Sequence, residues 1–509
     1  MAVDSPMNQN RRHVAHGLAW NTIYQVFQTV LSFGAMLVLV RVIPPAEYGR
    51  ATAAVSWLLL MCSFGCAQFM NHALQLPKDV EPDWSLHWSA GFYIQGALFA
   101  ISQIVAGGCW LVPSYRPIAP LIHIAGIGVL FDWSNRLRGT MLRRQMDFRR
   151  LRVVQAIGTL ISIAVTLILG LRGKGAYAIV IGQNIVLGLP FTFDLLIVEG
   201  WRPKPHWWHW PDWSAYRPSI RFGLQQAASS FLNTVRGAAE TAVLPITLGF
   251  TAMGLWNRAQ AIYASTFGKL QSVAVETVYP LLPRYAADRA SYPPYATLFC
   301  QAILWITFCG VAYLGVEGPH LSRVVYGTKW IAADPVIWPG ALAGLGLAAF
   351  MVGSSVLLAA NQLRSCFILD VLSASFLVPM LGVTWTGGGL VAYAWAVAGG
   401  QIVVGAIALW RAGSLLNVNW AREVVLPPLV SSIVASLVVW SLKADLLAAH
   451  MVARLAVVTI AYGIVFLMVI RLIFWHSFAK LLSYVPGGPY LRRLLVVPVV
   501  TAFTVGPSQ

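Results

Sequence analysis

Apolar residues run in blocks of about twenty along this chain, separated by short polar or proline-containing stretches, and a block of that length is what an α-helix needs to cross a bilayer. The pattern predicts an all-α integral membrane protein of about fourteen transmembrane helices. They fall near residues 18–40, 50–71, 88–112, 118–138, 152–171, 176–198, 219–246, 254–279, 297–315, 335–360, 365–385, 388–410, 424–441 and 453–475. Residues 1–16 are polar, and the first apolar block runs into Pro44 and Pro45 without a small-residue cleavage site, so it predicts a retained span and not a signal peptide.

Polar positions inside the spans carry a second pattern. In the first span Asn21, Gln25, Gln28 and Ser32 recur at intervals of four, three and four, which places them on one helix face. A shift of 205 residues lays them on Gln226, Ser230, Asn233 and Gly237 of the seventh span, and lays Gly49 on Gly254. The offset is six spans, which keeps the orientation, so the chain predicts two six-helix lobes in pseudo-two-fold relation with a pathway between them. The expected organisation is a cytoplasmic N-terminus at 1–17, a lobe at 18–198, a cytoplasmic aromatic linker at 199–218 and a second lobe at 219–410. Two additional helices at 411–475 and a cytoplasmic tail at 476–509 complete it.

The central spans near 219–246 and 254–279 hold Arg236, Glu240, Arg258, Lys269 and Glu276. Charges at that depth are costly and mark polar pathways, salt bridges or snorkelling ends. On an unbroken helix Arg258, Lys269 and Glu276 fall within about 20° of one line that runs roughly 27 Å. The predicted substrate cavity therefore takes Arg236, Arg258, Lys269, Asn233, Gln28 and Gln25. Glu240 and Glu276 are the ion-coupling or salt-bridge candidates, joined by Asp132 and Asp370 as remote carboxylates within reach of Lys269. Arg236 and Glu240, one turn apart, can equally pair with each other.

Composition narrows the classes. Of 509 residues 58% are hydrophobic and 10% charged, which excludes a soluble enzyme. The net charge of +17 segregates to one side of the span map, which predicts both termini in the cytoplasm and no nucleic-acid partner. The most basic stretch, RLRGTMLRRQMDFRRLR at 136–152, is expected as a cytoplasmic topogenic loop. The linker WRPKPHWWHWPDW at 201–213 suits an interface where its rings lie at headgroup level. Gly340 and Gly344 are expected to pack helices, DVEPD at 79–83 to be a solvated turn, and the six cysteines to be apolar filler. The chain has no GxxxxGK[ST], HExxH or GxSxG, so no catalytic residue, metal site or cofactor is predicted.

GLAWNTIYQVFQTVLSFGAMLVLVRVIPPAEYG at 17–49, MDFRRL, RFGLQQAASSFLN at 221–233, MGLWNRAQAIYASTFGKLQSVAVETVYPLLPRY at 253–285 and VVYGTKWIAADPVIW at 324–338 carry a resemblance over about residues 15–410. Together they resemble the polysaccharide transporter (Wzx-type flippase) family of the MOP superfamily. That resemblance implies a cell inner-membrane flippase that moves undecaprenyl-diphosphate-linked oligosaccharide repeat units by alternating access, for exopolysaccharide, capsule or O-antigen. It also implies coupling to an H+ or Na+ gradient, and partners among membrane lipids, a polysaccharide polymerase and export machinery. Two alternatives stand beside it. A small-cation or drug antiporter of the same superfamily wants an acidic cavity, whereas the central spans carry three cations against two carboxylates. A lipid-saccharide polymerase or glycosyltransferase wants a sizeable outward loop, and the predicted outward loops are short.

Reporter fusions test the map. Fusions after residue 150 and after residue 493 are both expected to report cytoplasm, and a periplasmic signal at either overturns the topology.

Overall fold

The computed structural model describes residues 6–63, 65–77, 80–198, 207–269, 292–442 and 451–475, together with residues 271, 282, 286, 478 and 479. All regular structure among them is helical. Contacts divide the chain into two compact units, Met1–Gly254 and Leu255–Gln509. The first holds α1 (Pro6–Val42), α2 (Pro45–Cys62), α3 (Trp84–Leu111), α4 (Ala119–Arg144), α5 (Phe148–Leu171), α6 (Gly175–Ile197) and α7 (Trp213–Thr247). Helix α8 (Gly249–Ser265) begins in the first unit and continues in the second. The second also holds α9 (Tyr292–Tyr326), α10 (Asp334–Ala359), α11 (Leu363–Trp385), α12 (Leu390–Leu416), α13 (Leu426–Leu442) and α14 (Met451–Ile473).

Eleven helices among the described residues are long and apolar enough to cross a membrane, and they coincide with eleven of the expected spans. The expected spans near 50–71, 219–246 and 254–279 are helical where described but fall outside that set. Their charge and length explain it: α2 carries Glu47 and Arg50, α7 carries Arg217, Arg221, Arg236 and Glu240, and α8 has 17 residues. The last two are the helices from which the polar stripe was read.

Two local differences follow from capping and side-chain competition. Helix α7 starts at Trp213, inside the expected linker, because the Asp212 carboxylate accepts hydrogen bonds from the Ser214 and Ala215 amides (2.9 and 3.2 Å) and so satisfies two orphan donors of the first turn. Helix α8 ends at Ser265, with a turn at Thr266 before the chain is helical again at residues 267–269. The Thr266 hydroxyl donates to the Ile262 carbonyl at 2.7 Å, a back-bond that competes with the helix ladder.

In the first unit the tryptophans before α7 fold onto α3 and α4. Trp208 meets Trp88, Phe92 and Trp133 edge-on with centroids 5.3, 5.3 and 6.2 Å apart, and Tyr216 and Ser219 bond His87 and His72, both at 3.1 Å. Trp210 is exposed, with its ring against Tyr93 and Trp213. In the second unit α9, α10 and α12 bury Phe299, Ile303, Val352, Val356, Val404 and Ala408 in one core. Gly340 and Gly344 pack helices as expected, facing Trp256 and Tyr263 of α8.

The tightest crossing in the first unit joins α2 to the start of α8. A Cβ added to Gly49 would overlap the Phe250 carbonyl oxygen, and one added to Gly254 would overlap the Pro45 carbonyl oxygen. The two contacts are reciprocal: Pro45 and Phe250 are separated by the same 205 residues that separate Gly49 and Gly254. Only glycine allows backbones this close. Gly49→Ala or Gly254→Ala is expected to destabilise the protein by about 1–3 kcal/mol or more. Immunoblotted membrane levels should fall, whereas Gly34→Ala, whose Cβ meets nothing within 4 Å, should leave them unchanged.

Candidate functional site

Polar side chains of five helices converge inside the first unit. They line a pocket of about 640 Å³. Tyr24 and Gln28 come from α1, Cys62 from α2, Asp132, Asn135, Arg136, Thr140 and Arg143 from α4, Gln155 from α5, and Gln183 and Asn184 from α6. On α4 the lining residues are spaced three and four apart, so the helix presents one polar stripe to the pocket. Helix α6 contributes through a π turn at Ile181–Val186, a widened turn of the kind that recurs at functional sites. Asn135, Thr192 and Ser134 are joined by hydrogen bonds of 2.7 and 2.8 Å, which fix the amide at the rim.

The charges are organised by the stretch 136–152. It is not the loop expected from its composition. Helix α4 runs to Arg144, α5 starts at Phe148, and three residues turn between them: Met146 takes a left-handed φ of 58°, and the Asp147 carboxylate caps α5 by accepting from the Arg150 amide at 3.0 Å. The arginines are bound in place. Arg136 pairs with Asp132 one turn back (3.2 Å), and Arg138 and Arg150 both donate to Asp194, at 2.6 and 3.0 Å. Arg144 donates to the carbonyls of Ala73, Leu76, Pro77 and Val80 and ties that connection to the end of α4. Arg152 bonds Asn21 at 2.6 Å and lies 5.2 Å over the Tyr24 ring. Arg143 lines the pocket in an exposed position, close to Arg136 and Arg152.

Two of the residues singled out by sequence meet here. Gln28 and Asp132 line the pocket; Gln25 is exposed on α1, and Arg236 and Glu240 are half-buried on α7 outside its lining. The Asn233 side chain and Glu276 lie outside the described residues. In the second unit Arg258 is half-buried, its guanidinium held by the Asn257 side-chain carbonyl at 2.7 Å. Lys269 is exposed in the helical residues that follow the turn at Thr266, and Asp370 is half-buried on α11. Asp132, a salt-bridge candidate by sequence, pairs with Arg136. Sequence reading passed over Arg136, Arg143 and Gln155. The i,i+4 spacing of Asp132 and Arg136 was the available signal.

Asp194 holds two guanidiniums while its own side chain is 5% exposed. Removing one partner of a buried pair strands the other's charge, at roughly 3–5 kcal/mol. Asp194→Ala should therefore lower the melting temperature of purified protein sharply. Replacing exposed Asp212 by Ala should cost about 1 kcal/mol through its cap alone.

Comparisons with known proteins agree with this architecture. A family model described as polysaccharide biosynthesis protein matches residues 38–335. The lipopolysaccharide biosynthesis protein WzxC of Escherichia coli (strain K12) is 20% identical over 376 residues, 73% of this chain and 75% of that protein. The teichuronic acid biosynthesis protein TuaB of Bacillus subtilis (strain 168) is 22% identical over 411 residues, 79% of this chain and 76% of that one. Among solved structures, the lipid II flippase MurJ in an inward closed conformation matches with a TM-score of 0.71 at 13% identity, over 90% of this chain and 99% of that chain, a likeness of fold.

Proposed function

We propose that this chain, which belongs to the polysaccharide biosynthesis protein family, is a multi-pass inner-membrane flippase and not an enzyme. Its cargo in this reading is a lipid-diphosphate-linked oligosaccharide repeat unit, moved from the cytoplasmic to the outer leaflet by alternating access. The observation that carries the proposal is the pocket of the first unit, where Arg136 and Arg143 lie among the side-chain amides of Gln28, Asn135, Gln155, Gln183 and Asn184. Guanidinium forks match phosphate oxygens in geometry as well as charge, and neutral amides can donate to and accept from sugar hydroxyls. The apolar tail stays in the bilayer, so the protein need only shelter the polar head. The names of WzxC, a lipopolysaccharide biosynthesis protein, and TuaB, a teichuronic acid biosynthesis protein, support the same class of cargo.

The wider pathway in this reading lies between six-helix lobes at 18–198 and 219–410, with two additional helices at 411–475 beyond them. Arg236, Arg258, Lys269, Asn233, Gln28 and Gln25 contact the head group, Glu240, Glu276, Asp132 and Asp370 serve ion coupling or salt bridges, and an H+ or Na+ gradient drives the cycle. Polysaccharide polymerase and export machinery take the product on the outer side.

Deletion of the gene is expected to abolish surface polysaccharide while lipid-linked oligosaccharide accumulates on the cytoplasmic leaflet; a failure to assemble the repeat unit at all would point to an enzyme. Complementation with Arg143→Gln, Arg258→Ala or Lys269→Ala at matched membrane levels should reduce export by about ten- to a hundredfold each, the loss from one charge-assisted contact of roughly 1.5–3 kcal/mol. Normal polysaccharide from all three variants would sink the head-group assignment.

A further inference from the structure

The second unit holds a cavity of its own, of about 610 Å³, between α9, α10 and α12 and under the connection that leads from α12 to α13. Its lining is sorted along its length. Leu304, Phe308, Leu345 and Ile402 line it at mid-helix, whereas its hydroxyl and side-chain amide groups, on Ser414, Asn417 and Asn419, all stand at the end of α12. Two guanidiniums flank that polar end. Arg411 lies 5.5 Å over the ring of Trp410, which lines the cavity, and exposed Arg422 follows the lining residue Ala421. We propose that this cleft binds a bilayer phospholipid with an anionic head group, one acyl chain lying along α12 and the phosphate at Arg411 and Arg422. This goes beyond the flippase reading, because the lipid is a resident of the protein and not its cargo.

Length, shape and charge each select such an amphiphile. The lining residues of α12 run from Ile402 to Asn417, roughly 22 Å of helix at 1.5 Å per residue. One leaflet of hydrocarbon is roughly 15 Å deep, so the cleft takes one acyl chain and the glycerol above it.

The cleft is held open by its own bonds. Asn417 takes a left-handed φ of 52°, and the Val418 amide closes α12 by donating to the Gly413 carbonyl at 3.0 Å. The Trp420 indole donates to the Thr297 hydroxyl and the Gln301 side chain to the Glu423 carbonyl, both at 3.0 Å, which anchors the connection to α9. With the walls fixed in this way, the apolar lining gains its missing dispersion contacts only from a guest. Acyl chains are the apolar matter that surrounds the spans.

Charge decides the head group. Arg411 and Arg422 stand against one neighbouring carboxylate, the exposed Glu423, so the mouth carries excess positive charge. In the topology expected from the distribution of basic residues this end faces the cytoplasm, where the leaflet is anionic and basic pockets between spans take anionic heads. A free inorganic anion would leave the apolar length unfilled, and an uncharged lipid would make no use of the guanidiniums.

Native mass spectrometry of the purified full-length protein in detergent tests the assignment. Titrated with phosphatidylglycerol and, separately, with phosphatidylcholine of the same chains, the protein is expected to bind one phosphatidylglycerol at least tenfold more tightly. Arg411→Gln and Arg422→Gln should each weaken that binding about fivefold, the worth of one basic residue at an anionic lipid surface, and leave phosphatidylcholine unchanged. Both side chains are exposed, so neither variant threatens the fold. Ala406→Trp fills the cleft from an exposed position of its lining and should abolish the bound lipid. Phosphatidylglycerol bound equally by Ala406→Trp, or with no preference over phosphatidylcholine, overturns the proposal. So does its displacement by millimolar inorganic phosphate, which would make this a site for a free anion, or by equimolar undecaprenyl phosphate, which would make the cleft part of the cargo path. A lipid-free dimer that Ala406→Trp abolishes would seat a second copy there and overturn it too. A gene deletion that leaves surface polysaccharide intact would overturn the flippase reading alone, since the lipid titration does not depend on the cargo.

Discussion

An uncompensated charge within apolar surroundings is so expensive that the ionised side chains of this protein must be paired, bonded to backbone or exposed to water. That constraint shapes the first unit more than hydrophobic burial does, because lipid is as apolar as any helix face and gives helices little reason to associate. What helices gain from each other in such a solvent is polar satisfaction and close packing. Asp194 joins α6 to both α4 and α5 through two guanidiniums, Arg144 collects four carbonyls of the α2–α3 connection, and Arg152 links α5 to α1 through Asn21. The same arginines that stitch the unit together leave Arg136 and Arg143 on the pocket wall, so the scaffold and the candidate anion site share one basic stretch.

How much of this could be read from the chain depends on the range of the interaction. Apolar blocks are local, and the eleven most apolar helices fall where the blocks predicted them. Caps and turns are nearly local too: Asp147 ahead of FRRL and Asp212 ahead of WSAY are N-cap signals, yet the density of arginine in one case and of tryptophan and proline in the other concealed them. Charge density suggested a solvated loop, whereas the guanidiniums of Arg136, Arg138, Arg144, Arg150 and Arg152 each have a defined acceptor. Glu317, buried on α9 near Arg454 of α14, was missed as well. The expected span near 297–315 stopped short of it, while α9 continues through Pro319 to Tyr326.

Partners far apart in sequence were beyond reach. Arg138 and Asp194 are 56 residues apart, and Glu317 and Arg454 belong to helices separated by four others; nothing in the spacing of either pair announces the other member. Of the two helices after residue 411, whose role the chain alone did not reveal, α14 is tied to α9 by such distant polar contacts, Arg454 to Glu317 and Thr459 to Tyr313.

The expected internal repeat rests on a few positions, and the crossing of α2 with α8 bears on two of them. At an offset of 205 most equivalent positions need only remain apolar or only remain polar, which many residue types satisfy, so identities drift apart. Where two backbones touch, one residue type fits. Gly49 faces the Phe250 carbonyl as Gly254 faces the Pro45 carbonyl, so each glycine is held in place by the equivalent of the group that its counterpart meets. In such a self-complementary contact a side chain added on either strand strikes the other, and neither glycine can change independently. A weak repeat is therefore expected to survive longest at the contact between its own copies, which is where glycine stands at both ends of the shift.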